Sequence, residues 1–301
     1  MSSKLWSFVL FMKIVLSRKG FDSSSGGVPN PILPDGTLVP LPIPDPHSCV
    51  RYDDLKSDVL HKYGTGFSSL VTDLTKGRVG GDDGAHLDPD LLAEHYPRAQ
   101  SWRPTFGQRG SALGHLKKQG VGIGDTFLFF GVFRPVECVA AQWRYIPKSL
   151  PQHILWGWMQ VAEVINAGVA IEKYPWLEYH PHCQAGAHQN DLLYLATRSK
   201  GKDNSLDARV GAGVFTSVRD EYRLSDCEAS KPSAWRLPRW FYPRGREPLS
   251  FHGKQERWED TGRDCRLQSV ARGQEFVLDA EQYPEAKKWA RELISQAVSP
   301  R

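Results

Sequence analysis

The stretch that decides the fold is residues 124–133, GDTFLFFGVF, in which a Gly-Asp turn leads into an almost continuous apolar run. A strand that is apolar on both faces is covered on both faces, so we predict a central strand over residues 126–133. Residues 153–165, HILWGWMQVAEVI, have the same character and predict a second central strand. Working outward, the text predicts further strands at residues 13–17, 37–43, 192–197, 213–217 and 276–278.

Helical patterns are fewer, and they are not interleaved regularly with the strands. Residues 111–119 predict a helix closed by Gly120, and residues 282–297 predict an amphipathic closing helix. A third helix is predicted near residues 52–62. Asp88-Pro89 predicts the start of a helical turn, because Asp is a good N-cap and Pro fits the first helical position. The absence of a β-α-β rhythm excludes a dinucleotide-binding fold and predicts an α+β fold with a mixed or antiparallel sheet.

Composition places the chain among ordinary globular proteins. Of its 301 residues, 40% are hydrophobic and 24% are charged, which excludes disordered and fibrous classes. The formal net charge of +4 permits contact with nucleic acid without requiring it. Five widely spaced cysteines without a C-x-x-C pair indicate free thiols and predict a cytoplasmic location. We expect residues 1–11 to be an N-terminal extension and residues 12–301 to form a single domain.

The first candidate site follows the first strand, where Arg18, Lys19 and Asp22 precede a flexible SSSGG segment. Cations beside a carboxylate at a strand end are typical of a phosphate or nucleotide cradle. A solvated turn with a local charge pair is the alternative interpretation. The segment is not a P-loop, because the G-K-[ST] ending is missing.

Two histidine-containing segments form further candidates. His86 and Asp88 are alternate residues of an extended segment, so both can point to one place and serve acid–base or metal chemistry. The alternative gives Asp88 and Asp90 only a role at a helix N-terminus. His180 and His182, followed by His188, are weak candidates for metal binding, since their spacing matches no closed zinc pattern.

Trp156 and Trp158 form the last candidate. Period-two alternation along a strand predicts that they share one face and build an aromatic wall. Such rings either pack in the core or provide a stacking surface for a nucleic-acid base.

Four long stretches together resemble one known family. They are KIVLSRKGFDSSSGGVPNPILPDGTLVPLPIPD, AHLDPDL, FGQRGSALGHLKKQGVGIGDTFLFFGVFR and HILWGWMQVAEVI. The chain resembles, from about Met12 to near its C-terminus, the nucleotide modification associated domain 3 family of bacterial and phage proteins. The resemblance implies an association with DNA base modification and adds Gln108 and His115 to the motif positions. A shorter pattern, a Gly-Asp turn with GWMQVAEV, resembles PUA-like barrels that hold RNA or modified bases.

We therefore predict a nucleotide- or DNA-base-modifying protein without a membrane role, working with other proteins of a modification system. Asp22, His86 and Asp88 are the predicted catalytic residues. The predicted nucleotide-binding residues are Arg18, Lys19, Gln108, His115, Trp156 and Trp158. Two alternatives stay open, a non-catalytic PUA-like reader of modified bases and a metal-dependent nuclease or hydrolase. The sequence does not name a cofactor.

Overall fold

A computed structural model describes residues 12–184, 190–197 and 211–298 of the chain. Residues 1–11, which we expected to be an extension, and His188 lie outside the described residues. Within the described ranges the chain forms fourteen strands and five α-helices, joined by loops and short 3₁₀ turns. None of the described helices combines the length and the apolar character that a membrane crossing requires.

The strands are β1 (Lys13–Arg18), β2 (Asn30–Ile32), β3 (Ile43–Pro44), β4 (Ala85–His86), β5 (Thr105–Gln108), β6 (Thr126–Val139), β7 (Gln142–Tyr145), β8 (Gln152–Asn166), β9 (Leu192–Ala196), β10 (Ala212–Val214), β11 (Ala234–Pro238), β12 (Trp258–Asp260), β13 (Asp264–Gln268) and β14 (Glu275–Asp279). The α-helices are α1 (Asp58–Lys62), α2 (Phe67–Thr75), α3 (Gly110–Lys118), α4 (Ala167–Lys173) and α5 (Pro284–Val298).

The largest sheet contains nine strands, with the main order β14-β1-β6-β8-β9-β5. Strands β2 and β7 also pair with β6, and β10 pairs with β8. Both β1 and β2 run parallel to β6, whereas β6 and β8 are antiparallel. The predicted α+β class with a mixed sheet is therefore confirmed, and the described strands do not close into a PUA-like barrel.

The two predicted central strands, β6 and β8, are neighbours in the interior of the sheet, as their apolar sequences predict. Phe127, Leu128, Phe129 and Phe130 of β6 are fully buried although consecutive residues point to opposite faces. One large apolar cluster surrounds β6 and β8, and a second, around Tyr52 and α2, lies beside it. The segment 85–91 passes from the second cluster to the first, since Ala85 belongs to the second and Leu91 to the first.

The predicted helical turn at Asp88-Pro89 is wrong. The Asp88–Pro89 peptide is cis, and the backbone of Asp90 exchanges hydrogen bonds of 2.9 and 3.0 Å with Thr105 at the start of β5. The Asp88 carboxylate accepts from the backbone N–H of Gly107 at 2.8 Å instead of capping a helix. A partner distant in sequence has thus replaced the local hydrogen bond on which N-cap preference depends.

Three other predicted elements are shorter than expected. The helix predicted near residues 52–62 is divided into a 3₁₀ turn, Tyr52–Asp54, and α1, because Ser57 caps a new helix by accepting from Leu60 N–H. In the predicted strand 37–43, only Ile43 belongs to a named strand, and the strand predicted at 213–217 ends at Val214. Pro40 and Pro42 cannot donate ladder hydrogen bonds, which explains why most of the predicted strand 37–43 does not form.

Acidification is expected to destabilise this fold through His153 on β8. The ring is buried and accepts a hydrogen bond from Trp235 Nε1 at 2.9 Å, and burial lowers the pKa of His153 from 6.5 to about 3. At pH values between these two pKa values, the unfolded chain binds a proton that the folded chain does not. The free energy of unfolding therefore decreases as the pH is lowered, by up to about 1.4 kcal/mol per pH unit. Urea unfolding measured from pH 7 to pH 4 should show that the free energy of unfolding of His153→Gln depends less steeply on pH than that of wild type. The same pH dependence in both proteins would show that other groups cause the acid sensitivity.

Candidate functional site

Two of the predicted histidine segments meet in space. His86, Asp88, His180 and His182 form one group, which we call the histidine–aspartate cluster. Asp88 Oδ2 lies 3.6 Å from His182 Nε2 and 3.9 Å from His86 Nε2, and Asp88 Oδ1 lies 3.6 Å from His180 Nε2. Three imidazole rings therefore present their Nε2 atoms to one buried carboxylate.

Local structure delivers each pair of residues to the cluster. His86 ends β4, which pairs with β3 through Ile43, and the backbone N–H of Asp88 donates to the His86 carbonyl at 2.8 Å. The two side chains approach to 3.9 Å as predicted, but through this tight turn and not along an extended segment. His180 precedes the 3₁₀ turn Pro181–Cys183, and His182 lies within that turn. A short turn that begins with proline thus brings two rings of neighbouring sequence to the same carboxylate.

The third element of the site is Gly107 on β5. Its backbone N–H donates to Asp88, and a side-chain carbon added at this position would lie 2.2 Å from His182 Cδ2. Only glycine permits so close an approach between the β5 backbone and the His182 ring. Sequence reasoning missed this residue, although an isolated glycine in a strand pattern often marks such an approach.

Two further carboxylates orient the rings, and neither was predicted. His86 Nδ1 lies 2.7 Å from Asp45 Oδ2, and His182 Nδ1 lies 2.9 Å from Asp191 Oδ2. The hydrogen bond from His86 lowers the pKa of Asp45 to about 2, so this carboxylate is ionised and only accepts. A hydrogen bond from the ring to a carboxylate places the ring proton on Nδ1, so in the neutral rings the Nε2 lone pairs of His86 and His182 face Asp88.

His180 has the opposite arrangement. Its Nδ1 accepts the backbone N–H of His182 at 3.3 Å, so a neutral His180 ring carries its proton on Nε2. This Nε2 is completely buried, and no atom of the described residues forms a hydrogen bond with it. His180 therefore offers the cluster a proton donor where His86 and His182 offer lone pairs.

The electrostatics of the cluster favour a negative Asp88. Burial opposes its charge, but the favourable interaction of that charge with the His180 and His182 rings outweighs burial and holds the pKa of Asp88 far below its ordinary value. Burial lowers the pKa of His180. For His182, burial is outweighed by Asp88 and Asp191, which raise its pKa. A carboxylate ionised at neutral pH is thus held at the centre of the cluster.

A buried ion pair ties the two cluster segments together. Asp90 is fully buried and accepts from both terminal nitrogens of Arg98 at 2.8 and 2.6 Å. The same carboxylate accepts from Tyr179 Oη at 2.5 Å and from Trp102 Nε1 at 3.2 Å. Because Asp90 follows Asp88 and Tyr179 immediately precedes His180, this network sets the distance between the two segments.

Lys19 and Gln108, predicted to bind a nucleotide, and Asp22, predicted to be catalytic, make their contacts away from the cluster. Lys19 Nζ and Gln108 Nε2 each donate to Glu275 Oε1 at 2.7 Å in the interior. Asp22 accepts from the backbone N–H groups of Ser24 and Ser25 at 2.8 and 2.9 Å and thereby closes a turn.

Two other predicted residues have local partners. Arg18 lies 3.9 Å from Asp22, and His115 Nε2 lies 2.9 Å from Ser250 Oγ. Among the described residues, neither these contacts nor those of Lys19, Gln108 and Asp22 reach the cluster.

The prediction that Trp156 and Trp158 share one face is wrong, because a β-bulge interrupts β8. Phe129 lies opposite Gly157 but Phe130 lies opposite Leu155, so Trp156 is the extra residue. The Trp156 ring stacks on Phe129 at 5.7 Å, whereas Trp158 lies opposite Leu128, whose side chain leaves β6 on the other face. The bulge therefore separates the two rings.

Trp156 lines a small cavity beside the cluster. The cavity has a volume of about 30 Å³, and its walls include Leu41, Leu87 and Leu91 together with Asp88. Asp88 therefore borders both the cavity and the three histidine rings. This volume accommodates roughly one or two water molecules.

Comparison with known proteins identifies one family. The sequence profile of the family described as nucleotide modification associated domain 3 matches residues 13–279, a range that contains the whole cluster. No curated protein and no solved structure shows significant similarity to the chain.

Proposed function

Because this chain belongs to the nucleotide modification associated domain 3 family, we propose that it is an enzyme that modifies a nucleotide or a base within DNA. The histidine–aspartate cluster is its reacting centre. The observation that supports this proposal is the convergence of three Nε2 atoms on Asp88 at 3.6 to 3.9 Å. These separations exceed hydrogen-bond length, so the facing atoms remain available to a reacting group.

The surrounding residues suit acid–base work at such a group. Asp45 and Asp191 hold the rings of His86 and His182 in fixed orientations, as orienting carboxylates do in other catalytic arrangements. His180 carries an unused N–H that can donate to charge developing on the substrate. Asp22 closes an exposed turn, and we assign it no part in the reaction.

Nucleoside analysis tests this proposal directly. DNA and the nucleotide pool from cells with and without the protein should differ by at least one nucleoside mass, detected by liquid chromatography and mass spectrometry. Asp88→Asn keeps an acceptor for Gly107 but removes the central charge, so it should reduce the modified species by about 100-fold or more. Asp22→Asn is the matched control and should retain the wild-type level. Loss of modification in both variants, or in neither, would contradict the assignment.

Hydrolysis of a nucleotide or of a DNA strand is the second candidate function. The same cluster supports it, because histidine and carboxylate are the common ligands of hydrolytic metal ions. Purified protein incubated with DNA and with nucleotides distinguishes the two, since hydrolysis shortens strands or releases phosphate and modification changes nucleoside mass. Binding that depends on modified DNA without any chemical change would instead identify a reader.

A further inference from the structure

The ligand atoms of three cluster residues lie close enough to share one metal ion. One atom each from His86, Asp88 and His182 falls within 4.8 Å of the other two. Metal–nitrogen bonds of about 2.0–2.1 Å place neighbouring ligands of a tetrahedral ion about 3.3 Å apart. The Asp88 distances of 3.6 Å to His182 and 3.9 Å to His86 need only a small contraction to reach that spacing.

The second layer of contacts matches that of a metal site. Metal-bound histidines usually donate their other ring N–H to a carboxylate, and bound carboxylates usually accept a further hydrogen bond. His86 and His182 donate to Asp45 and Asp191, and Asp88 accepts from Gly107 through Oδ1, which leaves Oδ2 for the ion. Three ligands from two segments that are distant in sequence thus share one supporting pattern.

His180 does not fit this pattern, and the difference makes the inference specific. Its Nδ1 already accepts the His182 N–H, so the nitrogen that faces Asp88 carries the ring proton and has no lone pair for a metal. This nitrogen faces Oδ1, the oxygen that Gly107 also contacts, and not Oδ2.

We propose that His86 Nε2, Asp88 Oδ2 and His182 Nε2 bind one divalent first-row transition-metal ion, with His180 beside it as a hydrogen-bond donor. Two imidazoles exclude Mg²⁺ and Ca²⁺, which prefer oxygen ligands. Two histidines and one carboxylate leave coordination positions open, as in catalytic zinc sites and in non-haem Fe²⁺ sites. The inference rests on the proposed function only for what the ion does, because its binding is measured without substrate.

Metal content of the full-length protein tests the site. Protein freed of metal with a chelator is incubated with Zn²⁺ or, without oxygen, with Fe²⁺, and after gel filtration the bound ion is counted by plasma mass spectrometry. Wild type should retain about one equivalent of at least one of these ions, and excess Mg²⁺ should not displace it. Retention of either ion supports the site, and retention of neither overturns it.

Variants separate the three ligands from His180. His86→Gln, Asp88→Asn and His182→Gln should lose the ion, whereas His180→Gln should retain it. Asp191→Asn, which weakens the support of His182 and leaves all three ligands in place, should weaken binding by about 10- to 100-fold. The exposed His61→Gln on α1 is the surface control and should bind as wild type does. Loss of the ion from His180→Gln as complete as from His182→Gln, with both variants folded by near-UV circular dichroism, would overturn the ligand assignment.

Failure of this inference is distinguishable from failure of the proposed function. If wild type binds no metal while Asp88→Asn still abolishes modification, the metal site is overturned and the reacting centre stands. If the ion binds as expected but nucleoside masses never change, the ligand set stands and the modification proposal is overturned.

Discussion

Gly107→Ala is expected to abolish modification and metal retention while the protein remains folded. The added carbon would lie 2.2, 2.7 and 2.9 Å from Cδ2, Cγ and Nε2 of His182, distances that no packed side chain tolerates. The His182 ring must therefore leave its position, and its Nε2 leaves Asp88 with it. Overpacking of this kind destabilises a protein by about 1–3 kcal/mol, which lowers stability without unfolding a typical domain.

Gly114→Ala in α3 is the matched control for this substitution. A side-chain carbon at position 114 meets no atom within 4 Å, and alanine stabilises a helix interior by about 0.5–1 kcal/mol relative to glycine. Gly114→Ala should therefore unfold at slightly higher urea and retain full modification. Wild-type activity and metal content in Gly107→Ala would show that the close contact with His182 has no part in function.

Asp90→Ala is expected to have the largest effect on stability, about 3–5 kcal/mol by urea unfolding. The substitution removes the carboxylate that accepts from Arg98, Tyr179 and Trp102, and it leaves a guanidinium buried without its partner. The side chain of Arg98 is only 9% exposed, so water cannot replace the lost acceptor easily.

An exposed ion pair of the same residue types controls for charge removal. Asp220 pairs with Arg223 at 2.5 Å, but the Asp220 side chain is 90% exposed, so Asp220→Ala should change stability by less than about 1 kcal/mol. Asp90→Asn keeps the shape of the side chain. It should weaken metal binding more strongly than it lowers the free energy of unfolding, which separates the role of Asp90 in positioning the cluster from its role in stability. Equal small losses in Asp90→Ala and Asp220→Ala would show that the buried network does not hold the segments together.

Features that depend on local sequence patterns could be predicted, and features that depend on contacts between distant segments could not. The positions of β6 and β8 were predicted correctly, because a continuous apolar sequence indicates a buried strand whichever strands pair with it. The Asp88-Pro89 turn was misassigned because local N-cap preference lost to Gly107, which approaches from β5. The Trp156 and Trp158 arrangement was misassigned because alternation cannot reveal a bulge, which depends on the register with β6.

The sequence by itself determined the α+β class and the family. Both depend on patterns and motifs within individual stretches of chain and not on contacts between them. Only the tertiary structure decided that His182 joins His86 and Asp88, that Asp45 and Asp191 orient the rings, and that His180 differs from its neighbours. Those outcomes depend on contacts of a few ångströms between segments far apart in sequence, and folding alone brings such segments together.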